Sequence, residues 1–164
     1  MWPFKRKSLD VSTLPPISNA DSKWSLSIFD DEDGPLLIRF NHSALPWSGH
    51  PTLPIKLGFA IPLAQPYPGG LPDGEETKIL SDIEDLVQSR VQETTIGMHV
   101  LTKTNGIMKE FVFYIPEGVD IKTLHESLDD SVSTHDVQCI AEREPKWDTF
   151  TAFSKLAATG KQVM

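Results

Sequence analysis

The chain has 164 residues, 39% hydrophobic and 23% charged, which suits one folded domain with short tails and a core that needs no staples. A single cysteine, Cys139, excludes an internal disulfide framework and a multi-cysteine zinc site, and fits a reducing compartment. The net charge of −8 disfavours contact with phosphate backbones, so no direct nucleic-acid binding is expected; its plainer meaning is solubility.

Residues 1–22 carry Pro3, Pro15 and Pro16 among polar residues without a sustained period, and are expected to be a flexible lead-in. Their opening aromatic residues and Lys5, Arg6 and Lys7 are too few for stable membrane association, and no run approaches a membrane-spanning length. One α+β domain is expected over 23–158. Trp24, Leu26 and Ile28 alternate with Ser25, Ser27 and Phe29 as a strand, and the acidic turn before Gly34 returns the chain through Leu36–Phe40 as a hairpin. Residues 41–53 read as a loop, and the almost wholly apolar Ile55–Ile61 as a central strand. A Pro/Gly-rich connection, 62–74, follows.

Asp73 followed by Glu76 is a capping pattern for a helix over 75–92. Its apolar stripe runs Ile79, Leu80, Ile83, Leu86, Val87 and Val91, with Asp82, Glu84 and Asp85 read as lying off the stripe. Strands at Ile96–Lys103 and Ile107–Tyr114 flank Asn105-Gly106, a hairpin signal because both residues tolerate positive φ. Asp120 caps a second helix with Ile121, Leu124 and Leu128 on its apolar face, and Val137–Glu142 alternates as a last strand. A short helix is expected from Trp147 to about Ala158, and 159–164 is expected to be a flexible tail. From residue 55 the order is strand, helix, strand, strand, helix, strand. That predicts a ferredoxin-like βαββαβ antiparallel sheet with helices on one face, plus the N-terminal β-hairpin and a short C-terminal helix.

No catalytic, metal-binding or nucleotide-binding signature stands out. His42 and His50 share a loop with Asn41 and Ser43, near Arg39, but their spacing matches no ligand motif and there is no nucleophile elbow. His99 reads as packed in a strand, and Cys139 as a small inward-facing hydrophobe. Asp82, Glu84 and Asp85 on one exposed helical surface cannot face each other across a cleft as a glycosidase pair must, and read as a solvated face or an acidic docking patch. Gly69-Gly70 and Gly74 are turn formers, with no Gly-Lys-Ser/Thr to cradle phosphate. Trp47, in a Pro-flanked loop, is the best candidate for an exposed anchor, although burial against the sheet is the favoured reading of it; Trp147 is a second candidate binding aromatic.

Several separated motifs are shared with one family. Gly70-Leu71-Pro72 precedes Glu76, Leu80 and Ile83-Glu84-Asp85; Thr104-Asn105-Gly106 precedes Glu110–Tyr114; and Pro145-Lys146-Trp147-Asp148-Thr149-Phe150 closes the pattern. Over roughly residues 22–153 the chain resembles a bacterial family known as a domain of unknown function, the six-nine-five group. Phe150 departs from it, standing where members often carry Tyr, which puts any hydroxyl-dependent role there in doubt. That family is similar in pattern to the RraB-type regulators of ribonuclease E, small acidic ferredoxin-like proteins that act by binding. The resemblance implies a partner rather than a substrate.

The expected function is therefore a non-enzymatic, cytoplasmic binding or regulatory module without cofactor or metal. It would meet a basic protein surface through Asp82, Glu84, Asp85, Trp47 and Trp147. The alternative is a small-molecule sensor or enzyme whose 41–53 and 62–74 loops form a pocket with Arg39, Asn41, His42 and His50. Homo-oligomerisation through a sheet face or edge stays open.

Overall fold

The computed structural model describes residues 23–32, 34–159 and 161–163, so the lead-in expected over 1–22 lies outside the described residues. Strands β1 (Trp24–Asp31) and β2 (Gly34–Asn41) form the hairpin, and a 3-10 turn (His42–Trp47) leads to β3 (Ile55–Pro62). Helix α1 (Gly74–Thr94), strands β4 (Met98–Thr104) and β5 (Met108–Ile115), helix α2 (Ile121–Ser131) and strand β6 (Gln138–Arg143) follow. Helix α3 (Asp148–Thr159) and β7 (Lys161–Val163) close the chain. All strands join one sheet in the order β6-β3-β5-β4-β2-β1-β7, and every pairing is antiparallel.

The strands are apolar on both faces, so the sheet needs two covering layers. On one face Leu57, Phe59 and Ile61 of β3 and Phe111, Phe113 and Ile115 of β5 meet Leu80, Ile83, Val87 and Val91 of α1 and Leu124 and Leu128 of α2. On the other face Ile38 and Phe40 of β2, Met98 and Val100 of β4 and Val112 and Tyr114 of β5 meet Trp47, Trp147 and Phe150. Helices α1 and α2 share the first face, and the C-terminal helix α3, for which no face was expected, covers the other with the 3-10 turn. Alternating strands that bury hydrophobes in both directions would otherwise leave Phe40 and Tyr114 in water.

Local chemistry sets the element ends. Asp73 Oδ1 accepts from the Glu76 amide at 2.8 Å and Asp120 Oδ1 from the Thr123 amide at 3.1 Å, capping α1 and α2. The β4–β5 turn works differently from its expected chemistry. Among the described residues Trp147 is the sole non-glycine with positive φ, and Gly106 is not among the positive-φ glycines. Instead Asn105 Oδ1 accepts from the amides of Ile107 and Met108, and Gly106 is required because a Cβ there would lie 2.0 Å from the Tyr67 carbonyl oxygen.

A register shift between His99 and Leu101 bulges β4. Val100 and Leu101 consequently both enter the second core, and His99 and Thr102 both point towards α1. Within the segment expected as a tail, Lys161–Val163 pairs with Leu26–Ile28 at the sheet edge.

Candidate functional site

Helix α1 sorts its carboxylates by face. Glu76 and Glu84 are buried, at 6% and 5% exposure, while Glu75, Asp82, Asp85 and Glu93 are exposed and, among the described residues, make no ion pair. Helix α2, packed beside α1, adds Glu126, Asp129 and Asp130 to the same outer layer. The expected acidic patch thus keeps Asp82 and Asp85 but loses Glu84. The reason is register: Glu84 follows Leu80 by four residues and precedes Val87 by three, which places it on the apolar stripe.

Glu84 is instead the hub of a buried polar cluster. Its Oε2 accepts from Arg39 Nη1 at 2.8 Å and its Oε1 from Lys109 Nζ at 2.9 Å. Thr102 Oγ1 lies 3.5 Å from Oε2 and 3.1 Å from His99 Nε2, and Gln88 Nε2 lies 2.7 Å from His99 Nδ1. An amide nitrogen only donates, so Nδ1 accepts and Nε2 carries the proton. Donation then runs one way, from Gln88 through His99 and Thr102 to Glu84. Burial opposes ionising Glu84, but Lys109 and Arg39 outweigh it and hold the carboxyl below its ordinary range. Burial pushes the His99 imidazole down to about 4, so it is neutral at pH 7.

Arg39 also lies over the Trp24 ring, 4.9 Å from its centroid, and Asn41 Nδ2 donates to the His99 carbonyl at 2.8 Å. Beside this hub, between α1 and the strands β2, β4 and β5, opens a cleft of about 370 Å³. Arg39 and Lys109 line it with the hydroxyls of Thr77, Ser81, Thr102 and Thr104.

The residues expected to form a pocket in the 41–53 loop do not converge. Arg39 and Asn41 point to the α1 face, His42 is exposed with Nε2 2.7 Å from Ser25 Oγ, and His50 is buried against Trp47, its Nδ1 accepting from the Thr52 amide. Alternation along β2 dictates this: Arg39 and Asn41 fall opposite Ile38 and Phe40. Neither tryptophan offered as an anchor is exposed, and for Trp47 burial is the reading that the sequence favours. Trp47 is 5% exposed and Trp147 fully buried; the Trp147 indole Nε1 donates to the Leu53 carbonyl at 2.8 Å, and its ring stacks on Tyr114 at 4.1 Å.

Two further polar clusters fasten the fold. Glu76 accepts from the amides of Ala64 and Gln65 and faces His135 Nε2 at 2.5 Å, tying the 62–74 connection to α1. Glu144 accepts from Tyr114 Oη at 2.6 Å and from the Thr149 amide at 2.7 Å, and Lys56 Nζ lies 3.3 Å away, fixing the start of α3 on the sheet. Burial raises the Tyr114 hydroxyl, with its bond to Glu144 adding to the shift, and burial alone pushes Cys139 up to about 11, so neither is primed to react at neutral pH. Among the described residues no three His, Cys, Asp or Glu side chains gather as a metal site, and no helix is long and apolar enough to cross a membrane.

Lys109 and Thr102 were not singled out by sequence. Lys109 carried a readable signal, since it shares period-two register with Phe111, Phe113 and Ile115 and so had to face the core. Thr102 carried none, because the bulge decides its face.

A family model described as a family of unknown function matches residues 22–154, spanning both cores and the Glu84 hub. The chain belongs to DUF695. No curated protein and no solved structure matches it. The residues on which the sequence resemblance rests hold the architecture: Leu80 and Ile83 supply the first core, Glu84 the hub, Asn105-Gly106 the turn, and Trp147 and Phe150 the second core. Phe150 stacks on Phe40 at 4.7 Å and is fully buried, so its role in this chain is apolar packing.

Proposed function

We propose that this DUF695 chain is a non-enzymatic, intracellular, ferredoxin-like binding module that docks a basic protein surface on the outer faces of α1 and α2. The ferredoxin-like reading draws support from the strand order β6-β3-β5-β4, in which β3 and β4 are joined through α1 and β5 and β6 through α2. The functional reading rests on one observation. Inward carboxylates of α1 are each matched to cations or amides, while the outward Glu75, Asp82, Asp85 and Glu93 make no ion pair among the described residues. Such a layer raises the local potential and speeds encounter with a basic partner, an effect that salt screens.

The test is capture of partners from a bacterial lysate by the wild-type chain and by Asp82→Lys/Asp85→Lys, at 0.05 M and 0.5 M salt. A basic protein retained by the wild type at low salt, and lost both in the charge-reversed variant and at high salt, is the expected result. Equal retention by both chains, or retention indifferent to salt, removes the proposal. Both substituted positions are exposed, so the variant should fold.

A further inference from the structure

The cleft beside Glu84 is at odds with the rest of the molecule. The protein carries a net charge of −8, yet among the described residues that line this cleft none is acidic and two, Arg39 and Lys109, are cationic. Lys109 is 7% exposed, a burial that a lysine accepts only with compensation. Glu84 compensates one positive charge, and its two oxygens are occupied by Arg39 and Lys109. Arg39, Lys109 and Glu84 together therefore leave one uncompensated positive charge, because the neighbouring His99 is neutral at pH 7. Each cation has spare donors: Lys109 spends one N–H on Glu84 and Arg39 one of five. The remaining wall is apolar, from Leu37 on β2, Leu80 on α1 and Pro72 in the connection before it.

We propose that this cleft is a binding site for a small monocarboxylate with an apolar body, its carboxylate held between Arg39 and Lys109. The cleft volume of about 370 Å³ lies in the range of small-ligand pockets. The guanidinium fork suits a planar carboxylate, and the hydroxyls of Ser81 and Thr104 supply adaptable polar contacts at the rim. Charge selects the headgroup. A carboxylate brings the cluster to neutrality, whereas a phosphate monoester at about −1.5 to −2 would leave excess negative charge beside buried Glu84. The cleft is lined by none of the carboxylates proposed for docking, so its test is read independently of that surface.

The experiment is an amide chemical-shift titration of the full, isotope-labelled chain with 4-phenylbutyrate, alongside its alcohol, its amine and benzyl phosphate. The carboxylate should bind saturably, with a dissociation constant on the order of 1 mM for so small a probe, shifting the amides of Leu37, Ser81, Thr102 and Thr104. The alcohol and the phosphate should bind about tenfold more weakly and the amine not at all. Arg39→Gln and Lys109→Met should each weaken the carboxylate about tenfold, while Lys103→Gln, on the opposite sheet face, should leave it unchanged. Shifts mapping instead to the groove at Lys56 and Thr149 overturn the proposal, as does an alcohol or phosphate that binds as well as the carboxylate. Arg39→Gln binding like the wild type also overturns it. If Lys109→Met does not fold, Arg39→Gln and the headgroup comparison on the wild-type chain still decide.

Discussion

His99 is held neutral by complete burial between Phe113, on which it stacks at 4.5 Å, and Gln88. That has a consequence for acid stability. An unfolded imidazole takes up its proton near pH 6.5, the buried one only near 4, so between those values the unfolded chain binds the extra proton. Stability present above pH 6.5 is therefore lost as the pH falls, by about 3 kcal/mol in all, and below pH 4 this contribution no longer changes. Urea unfolding at pH 7, 5.5 and 4 should show the decline, and His99→Gln should flatten it. An equally steep profile in the variant would assign the loss to the carboxylates instead. Glu84 acts in the same direction but lower: with its carboxyl held below the ordinary range, its contribution is present above that range and goes as the pH falls through the depressed value.

At the scale of elements, α1 shows what is legible locally. Its start at Asp73 follows from a capping rule that needs only sequence neighbours, and the bond from the Glu76 amide makes the rule quantitative. Asp73→Ala should cost about 1 kcal/mol, read as a lower urea midpoint with an unchanged denaturant slope. A null shift would mean that Glu76, anchored to Ala64 and Gln65, holds the helix start without the cap. The β4–β5 hairpin was legible in place but not in mechanism. Asn105-Gly106 marks the turn in either chemistry, yet it is the Tyr67 carbonyl, brought in from a distant connection, that makes glycine necessary. The face of Glu84 could be read from the spacing of α1, whereas the face of Thr102 depends on a bulge in β4 that no local pattern announces.

For the molecule as a whole, the two cores share one sheet. Strand β5 gives Phe111, Phe113 and Ile115 to one side and Val112 and Tyr114 to the other, so neither layer can be lost without the strand that serves both. The chain should unfold in one transition. Leu80→Ala, in the first core only, should cost roughly 2–5 kcal/mol and should reduce hydrogen-exchange protection of the Phe150 amide in the second core as much as that of Val87 beside it. Undiminished protection at Phe150 would mean that the layers are separate cooperative units. The same two-sided burial explains where α3 lies. Element order sets which helices follow which strands, but not that α3 must return beneath β2 to cover Phe40.

The sequence alone determined the order of strands and α-helices from β1 to α3, the caps at Asp73 and Asp120, the hairpin positions and the surplus of negative charge, because each depends on residues within a few positions of one another or on composition. Only the tertiary structure decided what the polar residues do. Arg39, Glu84, Thr102 and Lys109 come from four separate elements, and their meeting depends on how the strands align and on which way β4 bulges. What buries Trp47 and Trp147 is likewise not local, since it is the second face of a sheet assembled from strands far apart in the chain. Charge counts sum over residues and ignore position, so a cationic cleft inside an acidic protein is visible only once the chain is folded.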